Sequence, residues 1–326
     1  MSLDARLLTA LRTAGESAAS SVELAERLGV TRAAVLARVE ELRRLGYEIE
    51  ASPHRGYRLI SAPDLLHADD LLARLGTVRV IGRAIRVFEQ TTSTNDVVEK
   101  LARDGVKEGI VVFAESQTRG RGRLGRVWVS PAKKGLWFSV LLRPPMRPQE
   151  ATQITVAAAN ALAEAVAAQT KLPVEIKWPN DLLIRGRKVA GILTELHAEL
   201  DCVKSLILGI GVDVNQTARD FPVELRPLAT SLRIEAGQPL DRAGLAAAIL
   251  RTLDRDYRRV LDGDFAALAD EWESRCSTLG RRVAIQIGGR RVEGRAESLD
   301  SDGALMLRTQ HGHLERIIGG DVTMAP

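Results

Sequence analysis

The residues best suited to chemistry form a segment rich in glycine and arginine over residues 117–128, with the sequence QTRGRGRLGRVW. Gly120, Gly122 and Gly125 satisfy the G-x-G-x-x-G pattern of dinucleotide-binding turns, but such a turn must open a helix whose N-terminus holds a pyrophosphate. Here the glycines lead into VWVSP and then LWFSVLL, which predict extended chain. No Lys-Ser/Thr follows the glycines, which excludes a Walker loop. We therefore interpret the segment as a loop whose N–H groups and arginines bind a carboxylate or a phosphate.

The distribution of charge supports an anionic ligand. The chain of 326 residues has a formal net charge of +4, yet the stretch from Ser116 to Pro148 contains eight Lys or Arg residues and no Asp or Glu. Surface charge is normally mixed in sign, so this local excess favours a nucleotide or a nucleic acid as the ligand. The alternative is a solvated basic loop.

A run of six small polar residues, Thr91–Asp96, precedes a predicted helix over 95–103. Ser, Thr, Asn and Asp are favoured as helix N-caps, so capping explains one of them. The others remain available to a polar ligand. We therefore predict that this run takes part in ligand binding.

Two further segments contribute a cation and close backbone approach. In KWPND (177–181) the Trp-Pro pair interrupts a strand, and the next predicted strand brings Lys188 among apolar residues. A buried ammonium is costly without a counter-ion, which favours an anion there, although a solvent-facing lysine on an edge strand is an equal alternative. The segment LGIGVDVN (208–215) is a strand whose glycines allow close approach.

The first 60 residues have the pattern of a winged helix-turn-helix. Three short helices are predicted, and Ser20 and Glu23 are predicted to form a capping box at the start of the second. Apolar residues at helical spacing are expected to face the core: Leu3, Leu7, Leu8 and Leu11 of the first helix, Leu24, Ala25 and Leu28 of the second, and Val35, Val39 and Leu42 of the third. The third helix begins after the N-cap Thr31, and two extended stretches, Tyr47–Ala51 and Gly56–Ile60, follow as a wing. The turn LGVTR favours DNA binding over a protein-interaction module, which is the alternative. The predicted DNA contacts are Thr31, Arg32 and Arg38 on the third helix and His54, Arg55 and Arg58 on the wing.

Beyond a linker at 61–67 the pattern changes twice. From 68 to 278, β-rich runs alternate with grouped helical runs, which favours an α+β domain with a mixed sheet and helices on one face. The last stretch has four short predicted strands, 282–287, 291–299, 304–309 and 314–318, separated by glycine turns. We therefore predict a three-domain α/β protein: a winged helix-turn-helix over 1–63, a catalytic domain over 68–278 and an SH3-like β-barrel over 279–326.

In this order, the four motifs resemble those of the bifunctional biotin–protein ligases, the biotin-operon repressors. The matching pieces are STN at 93–95, Gln117 with the arginine loop and Trp128, KWPND at 177–181, KVAGIL from Lys188, and GIG at 209–211. Each motif alone is weak, but the ordered set is specific, and the resemblance covers essentially the whole chain.

The resemblance implies an ATP-dependent ligase that forms biotinyl-5′-AMP and transfers biotin to a lysine of a biotin carboxyl carrier protein. It also implies a DNA-binding repressor of biotin genes with biotinyl-5′-AMP as corepressor. The implied cofactors are ATP and Mg²⁺. The implied partners are biotin, the carrier domain, operator DNA and, when ligand is bound, a second copy of the chain.

The resemblance also implies roles for residues. Lys188 and Arg123 would be catalytic, and Asp181 would lie near Mg²⁺. The implied biotin-binding residues are Ser93, Thr94, Asn95, Gln117, Gly120, Arg121, Gly122, Arg123, Lys188, Gly191, Gly209 and Gly211. The implied ATP or adenylate contacts are Arg121, Arg123, Arg126, Trp128, Lys177, Asn180, Asp181, Lys188 and Asp213.

Two positions depart from the family, and two other functions stay open. Leu124 stands where relatives often carry arginine, and Asp213 where many carry asparagine, which puts the nucleotide role of Asp213 in doubt. A lipoate-type ligase shares the acyl-adenylate chemistry, and a ligand-sensing regulator could keep the fold without the activity. The winged helix and the Gly-Arg-Gly-Arg loop favour biotin over lipoate.

Composition points to a cytoplasmic protein. No apolar run approaches the ~20 residues that span a bilayer, and the N-terminus carries acid where a signal peptide would be basic. The two cysteines, Cys202 and Cys276, are expected to be free thiols in a reducing compartment.

Overall fold

The computed structural model describes residues 1–52 and 55–324. Its contacts divide the chain into two compact units. The first unit consists of Met1–Thr77 with the short segment Asp241–Ala247, and the second of Val78–Leu240 with the chain from Ala248 onward. The segments predicted as the catalytic and C-terminal domains thus both belong mainly to the second unit.

Three helices form the base of the first unit: α1 (Leu3–Ala14), α2 (Ser21–Leu28) and α3 (Arg32–Arg44). Ser20 and Glu23 form the predicted capping box, which satisfies the first free N–H groups of α2. The predicted apolar positions are confirmed as the core, where the following residues are buried: Leu7, Leu8, Leu11, Leu24, Ala25, Leu28, Val35, Val39 and Leu42.

Two antiparallel strands, β1 (Glu48–Ser52) and β2 (Gly56–Ser61), form the wing, and helix α4 (Ala68–Leu75) follows. Gly56 has φ +90°, and a Cβ there would lie 2.1 Å from the carbonyl oxygen of Ala19, so both the conformation and the space require glycine. His54, a predicted DNA contact, lies outside the described residues.

A mixed sheet forms the centre of the second unit. Its strands are β3 (Ala84–Thr91), β4 (Ile110–Gln117), β5 (Leu136–Leu142), β6 (Glu175–Lys177), β7 (Asp181–Ile184), β8 (Arg187–Glu199) and β9 (Cys202–Val212). They lie in the order β3-β4-β5-β9-β8-β7-β6, with β3 and β4 parallel and the other pairs antiparallel.

Helices lie on both faces of this sheet. The helices that follow β3 along the chain are α5 (Thr94–Arg103), α6 (Thr152–Thr170), α7 (Leu232–Ala236), α8 (Arg242–Leu261), which begins in the first unit, and α9 (Phe265–Arg275). Ile207 of β9 packs against α5. The next residue of β9, Leu208, pairs with Thr194 of β8 and shares its face, and Thr194 is hydrogen-bonded to Thr155 of α6.

Neighbouring residues of a strand point to opposite faces, so α5 and α6 lie on opposite faces. The prediction that the helices lie on one face was wrong for α5. It describes α6 and the helices α8 and α9, which pack against α6. Because α5 is short and packs at the β4, β5 and β9 end, it leaves much of its own face open to a ligand.

The C-terminal strands form a second, antiparallel sheet. They are β10 (Arg282–Ile287), β11 (Arg290–Leu299), β12 (Leu305–Thr309), β13 (Leu314–Ile317) and β14 (Asp321–Met324), in the order β13-β12-β11-β10-β14. Four of the strands were predicted, from short runs separated by glycine turns; β14 was not. Within the described residues no helix has the length and apolarity to cross a membrane, and both cysteines are free.

Candidate active site

A cavity of about 510 Å³ opens on the α5 face of the sheet. All predicted biotin and ATP contacts line it except Gly120, so residues from four separate segments of the sequence converge on one place. Gly120 lies just behind the wall, where a Cβ would approach the carbonyl oxygen of Trp128 to 2.4 Å. The position therefore requires glycine for packing.

One end of the cavity is lined by neutral polar side chains in a continuous hydrogen-bond network. Gln117 Oε1 accepts from the Thr94 backbone N–H at 2.8 Å, and Gln117 Nε2 donates to Ser130 Oγ at 2.9 Å. The hydroxyls of Thr94 and Ser139 lie 2.7 Å apart. Ser93 is the N-cap residue of α5, but its side chain makes no capping bond, so capping does not account for it.

The same network fixes the amide of Asn95. Ser139 Oγ donates to Asn95 Oδ1 at 2.5 Å, and Asn95 Nδ2 donates to Glu195 Oε2 at 2.7 Å. A Cβ on Gly209 would lie 2.3 Å from Asn95 Oδ1, so the amide lies directly against the glycine of β9. Opposed donors and acceptors in fixed positions suit a planar ligand that has both N–H and C=O groups.

Trp128 covers the other two glycines of the sheet. Added Cβ atoms on Gly191 and Gly211 would lie 2.9 and 2.5 Å from its ring. The ammonium of Lys188 lies 5.1 Å from the ring centroid, within cation–π range. The indole N–H is buried and meets no acceptor in the described part of the chain.

The arginine loop folds as a small hairpin at the cavity mouth. Gly122 N donates to the carbonyl of Arg126 at 2.7 Å, and Trp128 N to that of Gly120 at 2.9 Å. Leu124 has φ +57° and is 70 % exposed. As predicted, no α-helix follows the glycines. The chain forms a short 3-10 turn over Arg123–Gly125 and then enters β5.

Carboxylate or amide groups hold the cations of the cavity. Arg121 Nη1 lies 2.5 Å from Asp96 Oδ1, and its Nη2 lies 3.2 Å from Glu195 Oε1. Arg123 Nη1 donates to Asn180 Oδ1 at 3.1 Å, and burial lowers its pKa while the charges of Asp181 and Asp321 oppose that effect. Arg126 forms an ion pair with Asp321, the first residue of β14.

At the base of the cavity Lys188 Nζ forms an ion pair with Asp181 Oδ1 at 2.6 Å. Asp213 lies nearby, is 5 % exposed and accepts a hydrogen bond from Gln216 Nε2. Burial raises the pKa of the Asp213 carboxyl well above its usual value, and the charge of Lys188 only partly offsets this. A protonated carboxyl can donate a hydrogen bond, as the amide of asparagine does.

Sequence reasoning missed several groups that line the cavity or hold the side chains that line it. Glu195 shares the face of Gly191 on β8, so the alternation of the strand could have identified it. Asp321 and the apolar wall of Phe221, Leu225 and Leu228 gave no local signal. Their approach depends on tertiary pairing, such as the bond from Lys188 N to the carbonyl of Leu228.

The predicted DNA contacts lie in the first unit. Thr31 caps α3, with Oγ1 accepting from Ala34 N at 3.2 Å, and Arg32 and Arg55 are exposed. The other two arginines are held within the unit, because Arg38 lies 3.6 Å from Asp4, and Arg58 lies 2.7 Å from Glu50 and 3.2 Å from Glu16. A phosphate must therefore compete with carboxylates for Arg38 and Arg58.

Family models match three parts of the chain. Residues 5–58 match an HTH domain, residues 87–215 the biotin/lipoate A/B protein ligase family, and residues 278–324 the biotin protein ligase C-terminal domain.

Whole-chain relatives match in the same order. The bifunctional ligase/repressor BirA of Bacillus subtilis is 38 % identical over 318 residues, covering 98 % of this chain and 97 % of the relative. That of Escherichia coli is 32 % identical over 306 residues, covering 94 % and 92 %. The solved biotin protein ligase from Aquifex aeolicus in complex with biotin and ATP matches with a TM-score of 0.64 and 30 % identity, over 74 % of this chain and 99 % of that one.

Proposed function

This chain belongs to the bifunctional biotin ligase/repressor family, and we propose that its cavity joins biotin to AMP and passes the biotinyl group to a carrier lysine. The observation that supports this most directly is the division of the cavity. A hydrogen-bond network of mainly neutral groups lies at one end, where Arg121 joins it through Glu195. Arg123, Arg126 and Lys188 lie at the other end. Biotin has the same division, with an uncharged ureido ring at one end and a carboxylate at the other.

The ureido ring fits the polar end. Ser93, Thr94, Asn95 and Gln117 offer hydroxyl, amide and backbone groups around the glycines at 209 and 211. A urea has two N–H donors and one carbonyl acceptor, so these opposed groups can satisfy it completely. Trp128 covers the apolar body of the ligand, and Lys188 then meets its carboxylate.

The reaction forms one bond and breaks one in each of two steps. A carboxylate oxygen of biotin attacks the α-phosphorus of ATP, the bond from that phosphorus to the bridging oxygen breaks, and pyrophosphate leaves. The amine of the carrier lysine then attacks the carbonyl carbon of the adenylate, AMP leaves, and the nitrogen loses a proton. In the first step two anions approach each other, so Lys188 and Arg123 stabilise the charge that builds up.

The acidic partners of these cations determine how the ligand enters. Asp181 balances the charge of Lys188. Asp96 and Glu195 balance that of Arg121, and Asp321 balances that of Arg126. The anionic ligand therefore replaces carboxylates already in the site, and the exchange costs less than burying new charge.

Mg²⁺ fits Asp181 only in combination with the nucleotide. In the described residues no three metal-ligating side chains converge. Mg²⁺ commonly binds one or two carboxylates together with substrate phosphates and water, so Asp181 would hold it beside the phosphates of ATP. There the ion would offset the negative charge of the triphosphate.

Transfer to the carrier is tested with the full chain, biotin, ATP and a purified biotin carboxyl carrier domain. Mass spectrometry should find one biotinylated lysine on the carrier. A Lys188→Ala variant should give little product in the same time, and a Lys204→Ala variant should match the wild type. Failure of the wild type to label the carrier would refute the proposed transfer.

The first unit would bind operator DNA as a dimer with biotinyl-5′-AMP bound. One helix-turn-helix makes few contacts, so a two-fold site needs two copies. The ligand promotes pairing only by favouring the state in which two copies pair, and ordering of the arginine loop is the source we propose. Binding should weaken with salt, with a log–log slope of about −0.9 per neutralised phosphate.

Removal of residues 1–60 separates the two activities. The truncated chain should lose DNA binding and keep much of its adenylation activity. If the full chain with biotin and ATP selects no sequence from genomic fragments, the repressor part is refuted.

A further inference from the structure

Helix α3 presents three apolar side chains to solvent in its first two turns. Ala33, Leu36 and Ala37 are exposed, and Leu36 keeps 50 % of its surface exposed. They are turned away from the stripe that packs on the core of the first unit, where Val35 and Val39 are at most 1 % exposed. A single exposed leucine is ordinary on a protein surface, but here it lies on the helix that follows the helix-turn-helix turn.

The groups of α3 that could read polar base edges are mostly engaged elsewhere. Arg38 pairs with Asp4 of α1, Glu40 lies 2.5 Å from Arg43, and Arg44 lies 2.8 Å from Glu41. Arg32, the first residue of α3, is exposed and lies one turn before Leu36 on neighbouring parts of the helix surface. Arg32 is therefore the main residue of α3 that can form polar contacts with base edges.

Ala33, Leu36 and Ala37 have no side-chain hydrogen-bond donor or acceptor. The apolar group that base pairs present in the major groove is the C5-methyl of thymine. From this we infer that these three residues form a thymine-methyl-reading surface, with Leu36 as its main contact. The inference rests on the proposed DNA binding and adds the feature of the operator that α3 recognises: thymines opposite the first two turns of the helix.

The size of the surface fits a groove better than a protein partner. Two alanines and one leucine make a small patch, whereas apolar protein contact sites generally cover several hundred Å². The major groove is about 12 Å wide and admits one helix, and contact with a methyl needs only one side chain. DNA is therefore the occupant to which the inference commits.

The test removes the methyl and leaves every base pair in place. The full chain with biotin and ATP selects sites from a random duplex pool, and the selected duplex is remade with deoxyuridine at one thymine at a time. Loss of one buried methyl weakens binding about fourfold at each thymine that α3 contacts. In Leu36→Ala the same substitution should change affinity less than twofold at the thymine that Leu36 reads.

Leu45→Ala is the matched control, because Leu45 is exposed, follows the end of α3 and lies away from its first turns. It should keep the fourfold response. Both variants should melt and form adenylate as the wild type does, since neither residue lines the cavity.

The outcomes test the proposed DNA binding and the methyl recognition separately. No selected sequence in the wild type refutes the proposed DNA binding itself. A selected site that binds equally well with uracil at every thymine refutes the methyl reading while DNA binding stands. A response to uracil that persists in Leu36→Ala refutes the role of Leu36.

Discussion

Replacement of Lys188 by alanine tests the cation that we propose stabilises the adenylation step. Its ammonium lies 2.6 Å from Asp181 Oδ1 and 5.1 Å from the ring centroid of Trp128. A charge-assisted contact contributes about 1.5–3 kcal/mol, and each 1.4 kcal/mol is about a factor of ten in rate, so adenylate formation should fall roughly tenfold to a hundredfold.

Folding should be affected much less. The side chains of Lys188 and Asp181 are 32 % and 23 % exposed, so solvent screens part of their attraction. Ion pairs near the surface contribute about 0–1 kcal/mol, which sets the expected loss of unfolding free energy. Urea denaturation of the two proteins measures it.

The assay is biotin-dependent exchange of labelled pyrophosphate into ATP, which reports adenylate formation without the carrier. Lys204→Ala is the control, because Lys204 lies 3.0 Å from Glu199 but outside the cavity. It should exchange at the wild-type rate. A folded Lys188→Ala protein that exchanges as fast as the wild type would refute the role of Lys188.

Three other substitutions test separate parts of the site. Arg123→Gly should shorten the lifetime of enzyme-bound biotinyl-AMP roughly tenfold to a hundredfold, measured by release of label, and unchanged retention would exclude Arg123 from the clamp. Asp213→Asn should raise the unfolding free energy, because burial raises the pKa of Asp213 and the wild-type carboxyl costs stability when it ionises. The gain should grow as the pH rises above 3.8 and level off above the folded-state pKa. A gain that does not depend on pH would contradict this. Gly209→Ala places a Cβ 2.3 Å from Asn95 Oδ1, so the KM for biotin should rise roughly fivefold to a hundredfold with little change in that for ATP; Gly289→Ala, which meets nothing within 4 Å, is the control.

Local patterns in the sequence were enough for the three-helix core of the first unit. Helical spacing of apolar residues predicted its core, and the capping pair Ser20 and Glu23 placed the start of α2 where it is observed. These features depend on neighbours within a few residues, so a single sequence contains them. The strands at 136–142 and 282–287 were predicted with the observed bounds for the same reason.

Tertiary features were harder to predict. The position of α5 follows from which face of β9 it packs against, and nothing in the spacing of its own apolar residues distinguishes the two faces. Strand β14 has four residues after two glycines and was not predicted; its pairing with β10 is a tertiary feature. Its first residue, Asp321, reaches Arg126 only because the C-terminal sheet packs beside the arginine loop.

The positions predicted for the ligand site came from residue types together with the family resemblance, and all but Gly120 line one cavity. The role of each residue stays a prediction until it is tested. Asp96 lies in the run that was predicted to bind ligand, but its pairing with Arg121 was not predicted. Glu195 and Asp321 were not predicted either, because they balance cations that are distant in sequence.

The most direct test of the central claim is pyrophosphate release by the full chain with ATP and either biotin or lipoate. We predict release with biotin that stops near one equivalent per site when no carrier is present, because the adenylate stays bound. Lipoate should give none above background, because it lacks the ureido ring that we propose the Thr94–Asn95–Gln117 network binds. Equal release with lipoate, or none with biotin, would contradict the proposed function.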